Sequence, residues 1–286
     1  MHKFLVRAVS GIIYAAVIVL AIMLGQWTIY ALAILFAVIG ICELNHMAMG
    51  FSKRLAPIYA LSSLAVIFII SVVKFSVMIP SNPWMLVMIT LFILTIVAYY
   101  FAVNKIKGIS WKEFYNADYN KVPLFGFGYL GFPLAIMTVC PYQRLALLVF
   151  ALLWINDSGA YIVGSLTGRH KLCPSISPNK TWEGFFGGCL LTIVGAVLFS
   201  IWCDPFFGMV GFPMWMWILI GVLTCVFGTL GDLIESKIKR FYGAKDSGHW
   251  IPGHGGILDR IDSFLLAYPV VAIVLALIYL IYAKPI

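Results

Sequence analysis

Only 11 of the 286 residues are acidic, and seven of them (Asp157, Glu183, Asp232, Glu235, Asp246, Asp259 and Asp262) fall in or beside one apolar segment and two polar loops. In Gly231-Asp232-Leu233-Ile234-Glu235-Ser236, helical spacing puts Asp232 on one face with Glu235 (i,i+3) and Ser236 (i,i+4). Three oxygen-bearing side chains converging on one point suit a hard cation such as Mg²⁺. A solvated helix end with Glu235 paired to Lys239 would use the same residues, although a carboxylate near a helix C-terminus opposes the macrodipole. Asp157 lies mid-run in Trp154-Ile155-Asn156-Asp157-Ser158-Gly159-Ala160-Tyr161. A carboxylate inside a membrane span costs about 2.5–3.5 kcal/mol, so it needs a partner or a purpose. An interhelical hydrogen bond is one such use, but Asn156, Asp157 and Ser158 together exceed what one such bond requires.

Two further stretches add phosphate chemistry. Lys245-Asp246 precedes Pro252-Gly253-His254-Gly255-Gly256-Ile257-Leu258-Asp259-Arg260-Ile261-Asp262. Glycines ahead of a helix let backbone N–H groups approach an anion, and the helix N-terminus favours negative charge. Asp259 and Asp262 are i,i+3 neighbours there, although Asp at a helix start is also a common cap. Gly168-Arg169-His170-Lys171 leads to Ser177-Pro178-Asn179-Lys180-Thr181-Trp182-Glu183-Gly184, which also reads as a plain loop ending in an N-cap at Thr181. Carboxylates for a divalent metal beside Lys and Arg for phosphate are what phosphoryl or nucleotidyl transfer requires.

The elements that must position these residues are apolar helices. The chain is 63% hydrophobic and 10% charged, against roughly 25% charged in soluble domains. Runs of 18 or more apolar residues mark membrane spans. The expected fold is an all-α polytopic membrane protein with about nine spans, near 8–24, 28–48, 57–79, 84–103, 124–140, 143–165, 183–203, 213–235 and 262–283. The fifth is short and holds Gly126, Gly128, Gly131 and Pro133, so a broken helix is one reading of it. With the N-terminus cytoplasmic and the C-terminus outside, all basic residues except Lys74, Arg144 and Lys284 lie in or beside cytoplasmic loops, 16 of 19. Deleting the fifth span would move many of these charges outside, so the positive-inside rule favours nine. The net charge of +8 is therefore read as topology, with no nucleic-acid partner. Residues 1–286 form one membrane domain, in which 1–140 is a scaffold and 141–286 carries the reactive motifs. The six cysteines are scattered and suggest neither a disulfide framework nor a zinc cluster. Glu43 and His46 share a helix face, a pairing more often structural than ligating, and Lys74 is read as snorkelling or paired.

Ser236-Lys237-Ile238-Lys239-Arg240, Lys245-Asp246 and His254-Gly255-Gly256-Ile257-Leu258-Asp259-Arg260-Ile261-Asp262 together closely resemble the signature of the phosphatidate cytidylyltransferases, the CDP-diacylglycerol synthases. The match extends to Asn156-Asp157, Ser177–Gly184 and Gly231-Asp232-Leu233, covering roughly residues 150 to 265. The resemblance implies Mg²⁺-dependent attack by phosphatidic acid on the α-phosphorus of CTP, with a second metal ion left open. By motif correspondence it places the metal on Asp232 and Asp259. Asp157, Glu235, Asp246 and Asp262 are then further ligands or partners of the ligands. Lys180, Lys239, Arg240 and Arg260 are expected on phosphates, Ser236 on metal or phosphate, and His254 with the backbone of Gly255 and Gly256 on the substrate. The resemblance also implies a homodimer, and the charge count puts the site at the cytoplasmic face of the cell membrane.

Two rivals use the same residues. A transporter would relay ions through carboxylates such as Asp157, but the polar residues gather at one face and no inverted repeat is visible. A relative of the same enzyme class could activate a different lipid phosphate.

Overall fold

The computed structural model describes residues 2–49, 127–251 and 255–282. The expected spans at 57–79 and 84–103, Lys74 and His254 lie outside them. The described chain is helical apart from one hairpin: α1 (His2–Leu24), α2 (Gln26–Met49), a π-helical turn (Phe127–Gly131) running into α3 (Phe132–Val139), α4 (Leu145–Thr167), β1 (Lys171–Cys173), β2 (Ser177–Thr181), α5 (Trp182–Trp202), the short α6 (Asp204–Phe207), α7 (Met214–Phe241) and α8 (Leu258–Tyr282). Among the described residues, five helices are long and apolar enough to cross a membrane: Gln26–Met47, Leu145–Thr167, Trp182–Trp202, Met214–Phe241 and Leu258–Tyr279. Their bounds follow the apolar runs, and the protein is a multi-pass, mainly α-helical membrane protein.

The helix ends are chemically marked. Thr181 caps α5 by accepting a hydrogen bond from the Gly184 N–H at 3.2 Å. Pro213 precedes α7 in extended conformation, and Gly243, at φ +69°, turns the chain just beyond its end. The hairpin β1–β2 is antiparallel, pairing Lys171 with Thr181 and Cys173 with Ser177. It was not expected, because its strands are three and five residues long and contain no apolar alternation.

The described chain clusters into two compact units. One comprises Met1–Val17, Leu24–Val139 and Asp246–Asp259; the other comprises Ile18–Met23, Cys140–Lys245 and Arg260–Ile286. In the second unit α4 and α5 pack through glycine. A methyl group at Gly184 would lie 2.8 Å from the Ala160 carbonyl oxygen, and one at Gly188 would lie 2.8 Å from that of Asn156. In lipid there is little hydrophobic gain from helix association, so close backbone approach and dispersion supply the attraction. α8 joins α4 through a parallel stack of Phe150 on Phe264, with centroids 4.0 Å apart. α7 approaches α8 at Gly231, where a methyl group would meet the Asp262 carbonyl oxygen at 2.7 Å. A disulfide joins Cys189 on α5 to Cys225 on α7, with Cα atoms 5.2 Å apart. This corrects the expectation from the scattered spacing: residues 36 apart in sequence meet because α5 and α7 are packed neighbours.

Candidate active site

In the second unit, α4, the hairpin, α7 and α8 enclose a cavity of about 470 Å³. Its wall includes Asn156, Asp157, Tyr161 and Gly164 from α4, Asn179 and Lys180 from β2, Asp232 from α7 and Ser263 from α8. Three residues singled out in the sequence at positions 157, 180 and 232 therefore share one space. The Lys180 Nζ lies 2.5 Å from the Asp232 Oδ2, while the Ser236 hydroxyl donates to the Asp232 Oδ1 at 3.1 Å. Each carboxylate oxygen of Asp232 is thus oriented by a different neighbour, the second one turn along the same helix.

The position of Lys180 depends on a brace at the base of the hairpin. Glu183, in the first turn of α5, accepts hydrogen bonds from the backbone N–H of Arg169 (3.1 Å) and His170 (3.2 Å), and its Oε1 lies 2.6 Å from the His170 Nδ1. The Trp182 N–H donates to the His170 carbonyl at 2.9 Å. These contacts tie the chain leaving α4 to the chain entering α5, and β2 carries Lys180 between them.

The cavity suits a hard cation. Among its lining side chains are two carboxylates against one ammonium, and the donor atoms are oxygen. Among the described residues no three His, Cys, Asp or Glu side chains form a closed metal cluster. An open pair of carboxylates matches Mg²⁺, which keeps waters and takes further oxygens from substrate phosphates.

Other candidates sit in different settings. Glu235 is fully buried and ion-paired with Lys239 one turn along α7, the pairing that the sequence left open. Asp262 is buried and accepts a hydrogen bond from the Ser263 N–H at 2.6 Å. Arg240 donates to the Ala244 carbonyl at 3.2 Å, closing the end of α7. Asp246 and Arg260 are exposed.

Asp259, Gly255 and Gly256 belong to the first unit. Asp259 accepts from the Ser247 N–H (3.1 and 3.2 Å to its two oxygens) and from the Gly256 N–H (2.9 Å). The Gly256 N–H, expected to face a triphosphate, is therefore engaged with Asp259. Gly255 adopts φ +85°, the left-handed conformation that glycine takes without penalty.

The sequence pattern of the cytidylyltransferase family matches residues 5–278. The chain belongs to the cytidylyltransferase family. It is 34% identical over 276 residues to a phosphatidate cytidylyltransferase of Staphylococcus haemolyticus (strain JCSC1435), covering 94% of this chain and 98% of that one. It is 48% identical over 132 residues to the phosphatidate cytidylyltransferase of Staphylococcus epidermidis (strain ATCC 35984), and 49% identical over 133 residues to that of Staphylococcus aureus (strain COL). Those two alignments cover 46% and 45% of this chain, and span about half the length of the curated relatives (49% and 48%). The family resemblance drawn from the signature is met.

Two carboxylates make contacts that the sequence does not announce. For Glu183 the local signal is its position just after the Thr181 N-cap. Glu43 reads from the sequence as structural beside His46, and its carboxylate is buried against residues more than 200 positions away. Nothing local in the sequence announces that contact.

Proposed function

We propose that the protein transfers the cytidylyl group of CTP to phosphatidic acid, releasing pyrophosphate and leaving CDP-diacylglycerol. The observation that carries this reading is the meeting of Asp157, Asp232 and Lys180 in one cavity, in a chain whose relatives are phosphatidate cytidylyltransferases. A phosphate oxygen of phosphatidic acid forms a bond to the α-phosphorus of CTP, and the bond from that phosphorus to the β-phosphate bridging oxygen breaks. A phosphate monoester is already an anionic nucleophile near neutral pH, so no general base is required. The residues act by positioning and charge neutralisation.

Lys180 is assigned to the phosphates, held at the cavity wall by Asp232 until substrate competes for it. Asp232 and Asp157 are assigned to Mg²⁺ at this wall, and Asp259 is assigned to Mg²⁺ on motif correspondence alone. Mg²⁺, when bound, supplies charge neutralisation at the triphosphate. Ser236 fixes the Asp232 carboxylate. Lys239, Arg240, His254 and Arg260 are assigned to substrate on the signature alone, and Glu235, Asp246 and Asp262 to support of the ligands.

The topology that fits these roles has nine spans, the N-terminus in the cytoplasm and the C-terminus outside. It puts the site at the cytoplasmic face of the cell membrane, where soluble CTP meets a lipid headgroup. A homodimer without nucleic-acid partners completes the proposal. The test is incubation of detergent-purified protein with phosphatidic acid, Mg²⁺ and labelled CTP, with ATP, GTP and UTP as controls. Label passing into lipid from CTP alone, and abolished by EDTA, supports the reading. No labelled lipid from folded protein with any nucleotide overturns it.

A further inference from the structure

We propose that Glu43, in the N-terminal half of the chain, is a positioning residue for the transfer reaction: it locks the glycine-rich loop that delivers Asp259. The proposal rests on the assignment of Asp259 to the metal and substrate machinery made above.

Glu43 is 2% exposed, and in the described structure it accepts three hydrogen bonds, all from residues 247, 257 and 258. Its Oε2 accepts from the Ser247 hydroxyl at 2.9 Å and from the Leu258 N–H at 2.8 Å. Its Oε1 accepts from the Ile257 N–H at 2.9 Å. Ser247, itself 1% exposed, then bridges the two carboxylates, giving its hydroxyl to Glu43 and its N–H to Asp259. Glu43 therefore ties residue 247 to residues 257 and 258, and Asp259 ties 247 to 256.

Space enforces the same arrangement. A methyl group at Gly248 would lie 2.5 Å from the Glu43 Oε1, and one at Gly256 would lie 2.5 Å from the Glu43 Oε2 and overlap the Ser247 hydroxyl. Two signature-region glycines thus owe their identity to a carboxylate that the signature does not contain.

The N–H groups of Ile257 and Leu258 also sit at the start of α8, where an anion is favoured. Glu43 fills that place permanently, so a substrate phosphate is directed elsewhere. A carboxylate buried this deeply needs such charge-assisted donors, each stronger than a neutral hydrogen bond.

The test is hydrogen–deuterium exchange on peptides covering 246–258, in the full-length protein without nucleotide or metal, paired with steady-state kinetics. In Glu43→Gln we expect exchange in this segment to rise about tenfold or more, as loss of a charged acceptor for buried N–H groups requires. Peptides of α5 should keep their wild-type rates. We also expect kcat to fall about tenfold or more and the Mg²⁺ concentration for half-maximal rate to rise, while KM for the lipid stays within about twofold. A folded Glu43→Gln protein with unchanged exchange at 246–258, or with an unchanged Mg²⁺ requirement and kcat, overturns the proposal.

If Glu43→Gln does not fold, Gly248→Ala probes the same contact from the other side. Faster exchange at 246–258 with a raised Mg²⁺ requirement supports the clamp, and wild-type behaviour overturns it. A wild-type protein that forms no lipid product from CTP, yet shows the exchange change, would sink the functional reading while leaving the clamp in place.

Discussion

Carboxylates appear in this molecule in two contrasting settings. In the cavity lined by Asp157 and Asp232, the partners of Asp232 among the described residues are a lysine and a serine side chain. In the loop at 246–259, Glu43 and Asp259 accept from a succession of backbone N–H groups and one hydroxyl. Both settings combine acidic residues with glycine, and the sequence makes them look alike. Saturation separates them. A carboxylate such as Glu43, whose oxygens are taken by two backbone N–H groups and a buried hydroxyl, shapes the chain, whereas one whose partners are mobile side chains can exchange them for a metal or a phosphate.

The contrast can be broken most directly at Asp232. Asp232→Asn should reduce turnover by about a thousandfold, at the upper end of losses for one electrostatic contact. Its thermal midpoint should stay near wild type, because only side chains touch it. Near-normal activity would end its assignment to the metal. Chelation should act on the same setting: EDTA should abolish label transfer and added Mg²⁺ restore it, and transfer that persists in EDTA would remove the metal from the proposal.

Lys180→Met should lower kcat/KM about a hundredfold, chiefly through weaker CTP binding; an unchanged KM for CTP would place the phosphates elsewhere. Glu183→Gln weakens the hairpin brace without touching the cavity, and a loss of about tenfold in kcat/KM is expected, consistent with one charge-assisted hydrogen bond. The smallest effect on chemistry belongs to Gly188→Ala. Overpacking at the α4–α5 seam should cost about 1–3 kcal/mol of stability, read by thermal unfolding in detergent, while turnover of the folded fraction changes little.

The sequence disclosed the open setting better than the closed one. Asp157 stood out because a mid-span carboxylate is expensive, and Asp232 because helical spacing aligns it with Ser236. The long helices were legible from apolar runs, since lipid demands internally satisfied backbone over about 20 residues. The β1–β2 hairpin was not, because Ser177-Pro178-Asn179-Lys180-Thr181 has the composition of a loop. Its pairing is held by Glu183 and by the Trp182-to-His170 hydrogen bond. Glu43 was beyond reach for a different reason. Its partners at 247, 257 and 258 lie 204, 214 and 215 residues away, and no local spacing reports a contact of that range.

The glycine seam between α4 and α5 sets how the surrounding bilayer acts on the proposed site. Where two helices touch backbone to backbone, a change in bilayer thickness cannot be absorbed by one sliding past the other. The pair must tilt together, and mismatch costs only fractions of a kcal/mol per Å. Asp157 on α4 and Lys180 at the entrance to α5 then change depth together while keeping their separation. Lipid composition reaches the site as a change in immersion, with its internal geometry preserved.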